Sequence, residues 1–152
     1  MSAPIITVTE VPWDDPQAVA LRDAQRAEID GMYGPGSEPG VAPSAADIAL
    51  FLIAYVAGQP AGCGALRALE PGAAEIKRMY VVPEWRGRGV SVAVLSALEQ
   101  AAVARGWRTL RLETGPEQAA AIRLYERAGY VIIPGFGAYA DAPLSLCYQR
   151  EL

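Results

Sequence analysis

The chain predicts one α/β domain, of the α+β kind, with a mixed and mostly antiparallel central sheet flanked by helices. Three observations carry that expectation. Apolar runs of strand length recur from one end of the chain to the other. Long helical patterns interrupt them, two of these after residue 89. And 152 residues, 52% hydrophobic and 20% charged, suffice for one sizeable core but not two, with no linker or repeat to divide them. The domain is therefore read as 1–152.

Each element has its own justification. IITVTEV (5–11) alternates as a strand. Residues 14–33 open with an Asp cap and a Pro in the first turn, then show helical spacing. Residues 31–43, GMYGPGSEPGVAP, read as a loop by composition, and SAADIA (44–49) as a short helix. LFLIAYVAG and AGCGALRAL flank Gly58-Gln59-Pro60 as an antiparallel hairpin, and a third strand, 73–82, follows Pro71-Gly72. Residues 89–105 form an apolar helix ending at Gly106, and 107–113 alternate as a strand. Thr114 and Glu117 form a capping box around Pro116, opening a helix that ends at Gly129. YVIIP and PLSLCYQREL supply two last strands, giving the order β-α-α-β-β-β-α-β-α-β-β.

The third central strand holds an irregularity. Glu75 and Lys77 share one face, but Ile76 and Met79 are out of step for a period of two. A slipped phase fits a β-bulge. A strand buried on both faces at its end fits as well.

Composition excludes several function classes. A net charge of −4 argues against nucleic acid as a partner. No apolar run approaches the roughly 20 residues that span a bilayer, and the N-terminus has no signal-peptide pattern, so no membrane is expected and the cytoplasm is the expected location. The chain has no histidine, which removes His-based triads, His-ligated zinc and imidazole acid–base chemistry. Cys63 and Cys147 read as buried small hydrophobes, and no metal site is expected.

The remaining puzzle is PEWRGRGVSVAVLSALEQA (83–101), where two arginines and two glycines open an apolar helix. Positive charge gains nothing at a helix N-terminus and glycine weakens the turn, so an anion is the natural resolution. Glycines admit close approach, and first-turn N–H groups point at the anion's oxygens. A dinucleotide fingerprint fails because Val92 stands at its third glycine and four residues separate strand from glycines. A Walker A loop lacks its Gly-Lys-Ser/Thr.

Arg86-Gly87-Arg88-Gly89-Val90-Ser91 resembles the R/Q-x-x-G-x-G/A motif of the GNAT superfamily of acetyl-CoA-dependent N-acetyltransferases, with Ser91 where Gly or Ala is usual. Residues 118–130 are similar to the family's Asn-x-x-Ala-x-x-x-Tyr segment, with Gln118 in place of Asn. The resemblance covers nearly the whole chain and implies acetyl-CoA as co-substrate. Its pyrophosphate would sit on residues 87–91, and its pantetheine along Met79, Tyr80 and Val81 in a gap opened by the bulge. Arg88 and Arg123 are candidates for phosphate contacts, while Arg86 has Glu84 as an alternative partner. Glu75, eleven positions before Arg86, stands near the family's base, in an expected apolar channel. The other reading makes it an exposed strand carboxylate paired with Lys77. Tyr125 matches the family's acid and also fits a core stripe with Ala121, Leu124 and Ala128. A bulge N–H, that of Val81, would polarise the thioester carbonyl.

The implied function is acetyl transfer to a primary amine by direct attack on the thioester, with no covalent enzyme intermediate. The amine, a small molecule or peptide, would enter between the 31–43 and 135–143 loops, with Tyr33, Tyr139 and Asp141 as wall residues. A non-catalytic acyl-CoA sensor and transfer to a hydroxyl are the rivals. A monomer or a homodimer is expected.

Overall fold

The continuous apolar run of residues 50–56 needs cover on both faces, and the fold supplies it. The structure, a computed structural model, describes residues 5–152; residues 1–4, on which the expectation of no signal peptide partly rests, lie outside the described residues. The elements are β1 (Ile6–Val11), α1 (Pro16–Tyr33), β2 (Ile48–Val56), β3 (Gln59–Ala68), β4 (Ala73–Val81), α2 (Val90–Ala104), β5 (Thr109–Thr114), α3 (Ala119–Arg127), β6 (Val131–Ile133) and β7 (Leu146–Glu151). They form one sheet in the order β1-β2-β3-β4-β5-β7-β6, parallel only between β4 and β5.

Alternate residues of β2 serve opposite layers. Leu50, Leu52, Ala54 and Val56 pack in the core that holds Val90, Val94, Leu95 and Leu98 of α2. Phe51 and Ile53 pack with Ala18 and Leu21 of α1. A strand covered on both faces has no reason to alternate in polarity. Helix α1 starts where expected because Asp15 accepts from the main-chain N–H of Gln17 (2.9 Å) and Ala18 (3.2 Å). The β2–β3 hairpin turns at Ala57-Gly58, both with positive φ as a two-residue turn of this kind requires, while Pro60 is already paired with Tyr55 in the ladder.

Two sequence expectations are corrected. Residues 44–49 do not form a helix: Ser44 and Asp47 close one turn on themselves, and Ile48 already enters β2. Asx-type side-chain bonds compete with a helix in so short a segment. The expected box of Thr114 and Glu117 is also not formed. Thr114 is the last residue of β5, its hydroxyl has no partner, and the Glu117 N–H goes to the Tyr33 hydroxyl (3.0 Å). The helix begins only at Ala119, with Gln118 at its N-cap.

The phase slip in β4 is a bulge. Between the pairs Cys63–Tyr80 and Ala65–Lys77, β3 spends Gly64 alone while β4 spends Arg78 and Met79. Arg78 takes φ of +60°, a left-handed conformation that costs a side-chain-bearing residue roughly 1–2 kcal/mol. The Cys63 thiol donates to the freed Arg78 carbonyl at 3.2 Å, and burial pushes that thiol's pKa up to about 12. Already before the bulge β4 leaves its parallel neighbour: β4 and β5 pair only over residues 73–75 and 109–111. The two strands then part, and the gap between them is the site described next.

Gly64 lies beneath the bulge, where a Cβ would meet Met79 Sδ at 2.8 Å and Leu98 and Val94 methyl carbons at 2.9 Å. Gly64→Ala is expected to lower stability by about 1–3 kcal/mol through overpacking, read as an earlier urea midpoint at unchanged m. An unshifted midpoint would mean that β3 and α2 do not fix the bulge.

Candidate active site

The parting of β4 and β5 opens a cavity of about 370 Å³. Its floor is β4 from Ile76 to Val81, and Glu113 and Thr114 of β5 face that strand. Gln25, Glu28 and Met32 of α1 close one side, and Gln118 with the first turns of α3 the other. The far end is the Arg/Gly turn before α2.

That turn has the geometry of an anion cradle. Gly87 and Gly89 take φ of +75° and +86°, and α2 begins with no side chain capping its first-turn amides. Arg86 does not pair with Glu84. Its guanidinium bonds Glu28 (2.6 Å) and the Val81 carbonyl (3.0 Å), which ties the turn to α1 and β4. Arg88 lies over the Trp85 ring at 5.4 Å. Two buried polar atoms on cavity residues lack partners, Gln25 Oε1 and Thr114 Oγ1, and Gln25 spends its amide nitrogen on the Met79 carbonyl (2.7 Å). An amide-bearing pantetheine arm would fit such a wall.

The expected residues divide into two groups. Met79, Tyr80, Val81, Arg86, Gly87, Val90, Ser91, Gln118 and Tyr125 line the cavity, with Gly89 as the N-cap of α2 between them. Arg88, Arg123 and Asp141 are exposed and outside its lining. Tyr33 instead braces the β5–α3 turn through Glu117. Tyr125 is buried against Tyr130, and burial raises its pKa, so its hydroxyl holds a proton at neutral pH.

Glu75 is not in an apolar channel. It is 1% exposed and fully engaged: Arg67 donates to Oε1 at 3.0 Å and Tyr139 donates to Oε2 at 2.6 Å. Lys77 in turn donates to the Tyr139 hydroxyl at 2.9 Å. Tyr139 is thus a buried link and not a cavity wall. Burial, then the charge of Glu75, raises its pKa. Lys77 also lies 3.7 Å from Glu38, which Arg78 grips through both guanidinium nitrogens (2.5 and 3.1 Å). Burial alone would raise the Glu38 pKa, but Arg78 and Lys77 outweigh it and hold it below the ordinary range. The 31–43 and 135–143 loops therefore both anchor on β4 through Lys77.

Glu113 went unnoticed as a site residue. It lines the cavity, and burial raises its pKa, outweighing the Ser145 hydroxyl that donates to it at 2.7 Å and the nearby charge of Lys77. A sequence signal existed: Arg111 and Glu113 share the polar face of a strand whose other face, Leu110 and Leu112, is core. Gln25 and Glu28 also had one, as polar residues continuing the buried α1 stripe of Ala18 and Leu21.

Among the described residues, no group of three or more His, Cys, Asp or Glu side chains is placed to hold a metal ion. No helix among them is long and apolar enough to cross a membrane.

Comparison with known proteins agrees with this geometry. Residues 9–130 match the acetyltransferase (GNAT) family. An IAA acetyltransferase of Azospirillum brasilense is 41% identical over 103 residues, 67% of each chain. A Klebsiella pneumoniae protein whose name places it with the acyl-CoA N-acyltransferases is 34% identical, with a TM-score of 0.84 over 97% of this chain and 98% of that one. A GNAT acetyltransferase of Elizabethkingia anophelis, solved with acetyl-CoA bound, shares the fold at 17% identity and a TM-score of 0.71, covering 97% of this chain and 98% of that one. The chain belongs to the GNAT family of acetyltransferases, enzymes that transfer an acyl group from acetyl-CoA to an acceptor.

Proposed function

We propose that the acceptor is a primary amine that attacks the acetyl-CoA thioester directly. One observation carries the reading: a single cavity runs from the uncapped turn at residues 87–91 to a carboxylate and a tyrosine able to move protons. Phosphates on the turn would lay the pantetheine in the β4–β5 gap and bring the thioester to the bulge. Neither cysteine lines the cavity, and Cys63 is a bonded thiol, which supports attack without an acyl-enzyme.

Three groups then share the chemistry. An ammonium has no lone pair, so its proton must leave first, and Glu113 is the carboxylate placed in the cavity with a raised proton affinity. The new N–C bond puts charge on the carbonyl oxygen, which takes a main-chain N–H from the β4 edge that β5 leaves unpaired, Val81 being the expected one. The C–S bond breaks, the departing thiolate takes the Tyr125 proton, and the surplus proton on the acylated nitrogen passes to the Tyr125 phenolate. Glu75 serves as a positioning residue that fixes Lys77, Arg67 and Tyr139, in place of the base role expected from its position in the sequence.

The direct experiment is thiol release from acetyl-CoA against a panel of amines and matched alcohols. Release with amines alone is expected, and release with alcohols alone would overturn the reading. Gly89→Val adds a branched side chain at a left-handed position on the cradle. Acetyl-CoA affinity by calorimetry should fall tenfold or more, about 1.4 kcal/mol, with circular dichroism unchanged. Unaltered affinity would move the phosphates elsewhere.

Tyr125→Phe keeps the ring and removes the proton. Turnover should drop roughly 10²-fold with little change in melting temperature. Full activity would leave Tyr125 a packing residue only.

Glu113→Gln should lower kcat/KM roughly 10²-fold and abolish a rising pH limb that lies above the ordinary carboxylate range. Stability provides an independent reading. A carboxyl whose folded pKa is raised costs the folded state nothing below its unfolded value of about 4.3, and an increasing amount as pH climbs through the folded value. The variant should therefore melt higher than the parent at neutral pH, and the difference should vanish in acid. Glu75→Gln should instead lose stability, because it strips half-buried Arg67 and buried Lys77 of their shared charge. A pH profile altered by Glu75→Gln and untouched by Glu113→Gln would return the base to Glu75.

A further inference from the structure

We infer that the acceptor is a free amino acid, whose carboxylate takes the place of Glu38 on Arg78 and Lys77 while its ammonium faces Glu113. This rests on the acetyl-transfer reading above and names the substrate of the same cavity.

Glu38 is a carboxylate delivered into the cavity by a loop. Between Tyr33 and Ile48 the chain has no helix or strand, yet the Glu38 side chain is largely buried among Arg78, Lys77 and, at 4.0 Å, Arg26. Arg78 meets it in the two-pronged manner in which a guanidinium meets any carboxylate. The fold strains its own backbone at this residue, since Arg78 and the turn residue Ala57 are the non-glycine positions with positive φ among the described residues. Such strain gathers at ligand clamps.

Charge balance indicates what must replace Glu38 once an acceptor displaces it. Glu75 is already shared by Arg67, Lys77 and Tyr139, and Asp47 pairs with Arg67. Without Glu38, four cations (Arg26, Arg67, Lys77 and Arg78) face two carboxylates, Glu75 and Asp47. Leaving a buried cation unpaired is strongly unfavourable, so one further anion is required on this wall. Across the gap the deficit is reversed. Glu113 lines the same cavity bonded to the Ser145 hydroxyl, and among the described residues no cation forms an ion pair with it. Where the cavity runs past the thioester, a wall that lacks an anion once Glu38 is displaced and a facing carboxylate without an ion-pair partner complement a small zwitterion. This arrangement also sets the ammonium beside the group proposed to deprotonate it. Polyamines would meet Arg78 and Lys77 as like charges, and neutral amines would leave both deficits open.

The test is thiol release from acetyl-CoA by the full-length protein with each common amino acid, its α-amide and its decarboxylated amine. For at least one side chain, kcat/KM for the acid should exceed that for amide and amine by 10²-fold or more. Arg78→Gln should pull that ratio toward one. Glu38→Gln, which removes the internal competitor, should lower KM for the acid relative to KM for the amide, so the prediction survives misfolding of either variant. Equal use of amide or decarboxylated amine, or acetylation of other amines with every acid refused, overturns the amino-acid assignment and leaves acetyl transfer standing. Failure to bind acetyl-CoA overturns the acetyl-transfer reading itself, and this assignment with it.

Discussion

Arg78 cannot hold a left-handed backbone and keep β4 in step with both neighbours. That one extra residue is the constraint on which the site depends. β3 absorbs it by offering Gly64, whose missing side chain leaves room for Met79 and the α2 leucine and valine, and by bonding the displaced carbonyl through Cys63. β5 does not absorb it. It keeps its antiparallel partner β7 along its whole length and so parts from β4 after three residue pairs. A sheet that parts in its middle presents unpaired main chain to a cavity, which is normally avoided and is tolerated where a ligand completes the bonding.

The cavity recognises charge in two different ways. At the α2 end the recognition surface is main chain: glycines in left-handed conformations and an uncapped helix start, with Arg86 drawn off to Glu28 and the Val81 carbonyl. At the β4 end it is side chain: Arg67, Glu75, Lys77, Arg78, Glu38 and Tyr139 joined in one partly buried network. Buried ion pairs give little net stability, because desolvation offsets their attraction. Their use here is placement. The network pins two loops from opposite parts of the chain onto a single strand, and among the described residues it leaves Glu113 on the facing strand without an ion-pair partner. An acidic protein thereby keeps a locally cationic wall opposite one destabilised carboxylate.

What the sequence showed and what it hid follow from range. The Arg/Gly turn was legible because its geometry is local: glycine at a helix start is unfavourable unless the backbone needs positive φ, and both glycines have it. The bulge was legible for the same reason, as two residues out of phase within one strand. Residues 44–49 misled because helical composition over six residues loses to side-chain turns at Ser44 and Asp47. Thr114 and Glu117 misled because strand pairing with Leu146 holds Thr114 extended and Tyr33, 84 residues away, takes the amide a capping box would use. Glu75 shows the limit most clearly. Its position in the chain was right for the polar face of β4, yet its partners come from β3 and from the turn at Tyr139, 64 residues on, and nothing local announces them. Glu113 shows the converse: the polar face it shares with Arg111 was legible, but that its neighbour would be the Ser145 hydroxyl, 32 residues on, instead of an ion-pair partner was not.

The central claim is that the β4–β5 gap is the acetyl-CoA slot, with the turn at residues 87–91 at one end. Backbone amide hydrogen exchange, followed residue by residue with and without coenzyme A, tests it most directly. The account predicts new protection at the amides of residues 89–91 and along the gap-facing edge of β4 at residues 79–81, with the hairpin of β2 and β3 unchanged. Coenzyme A that binds while those two segments exchange as in the free protein would contradict it.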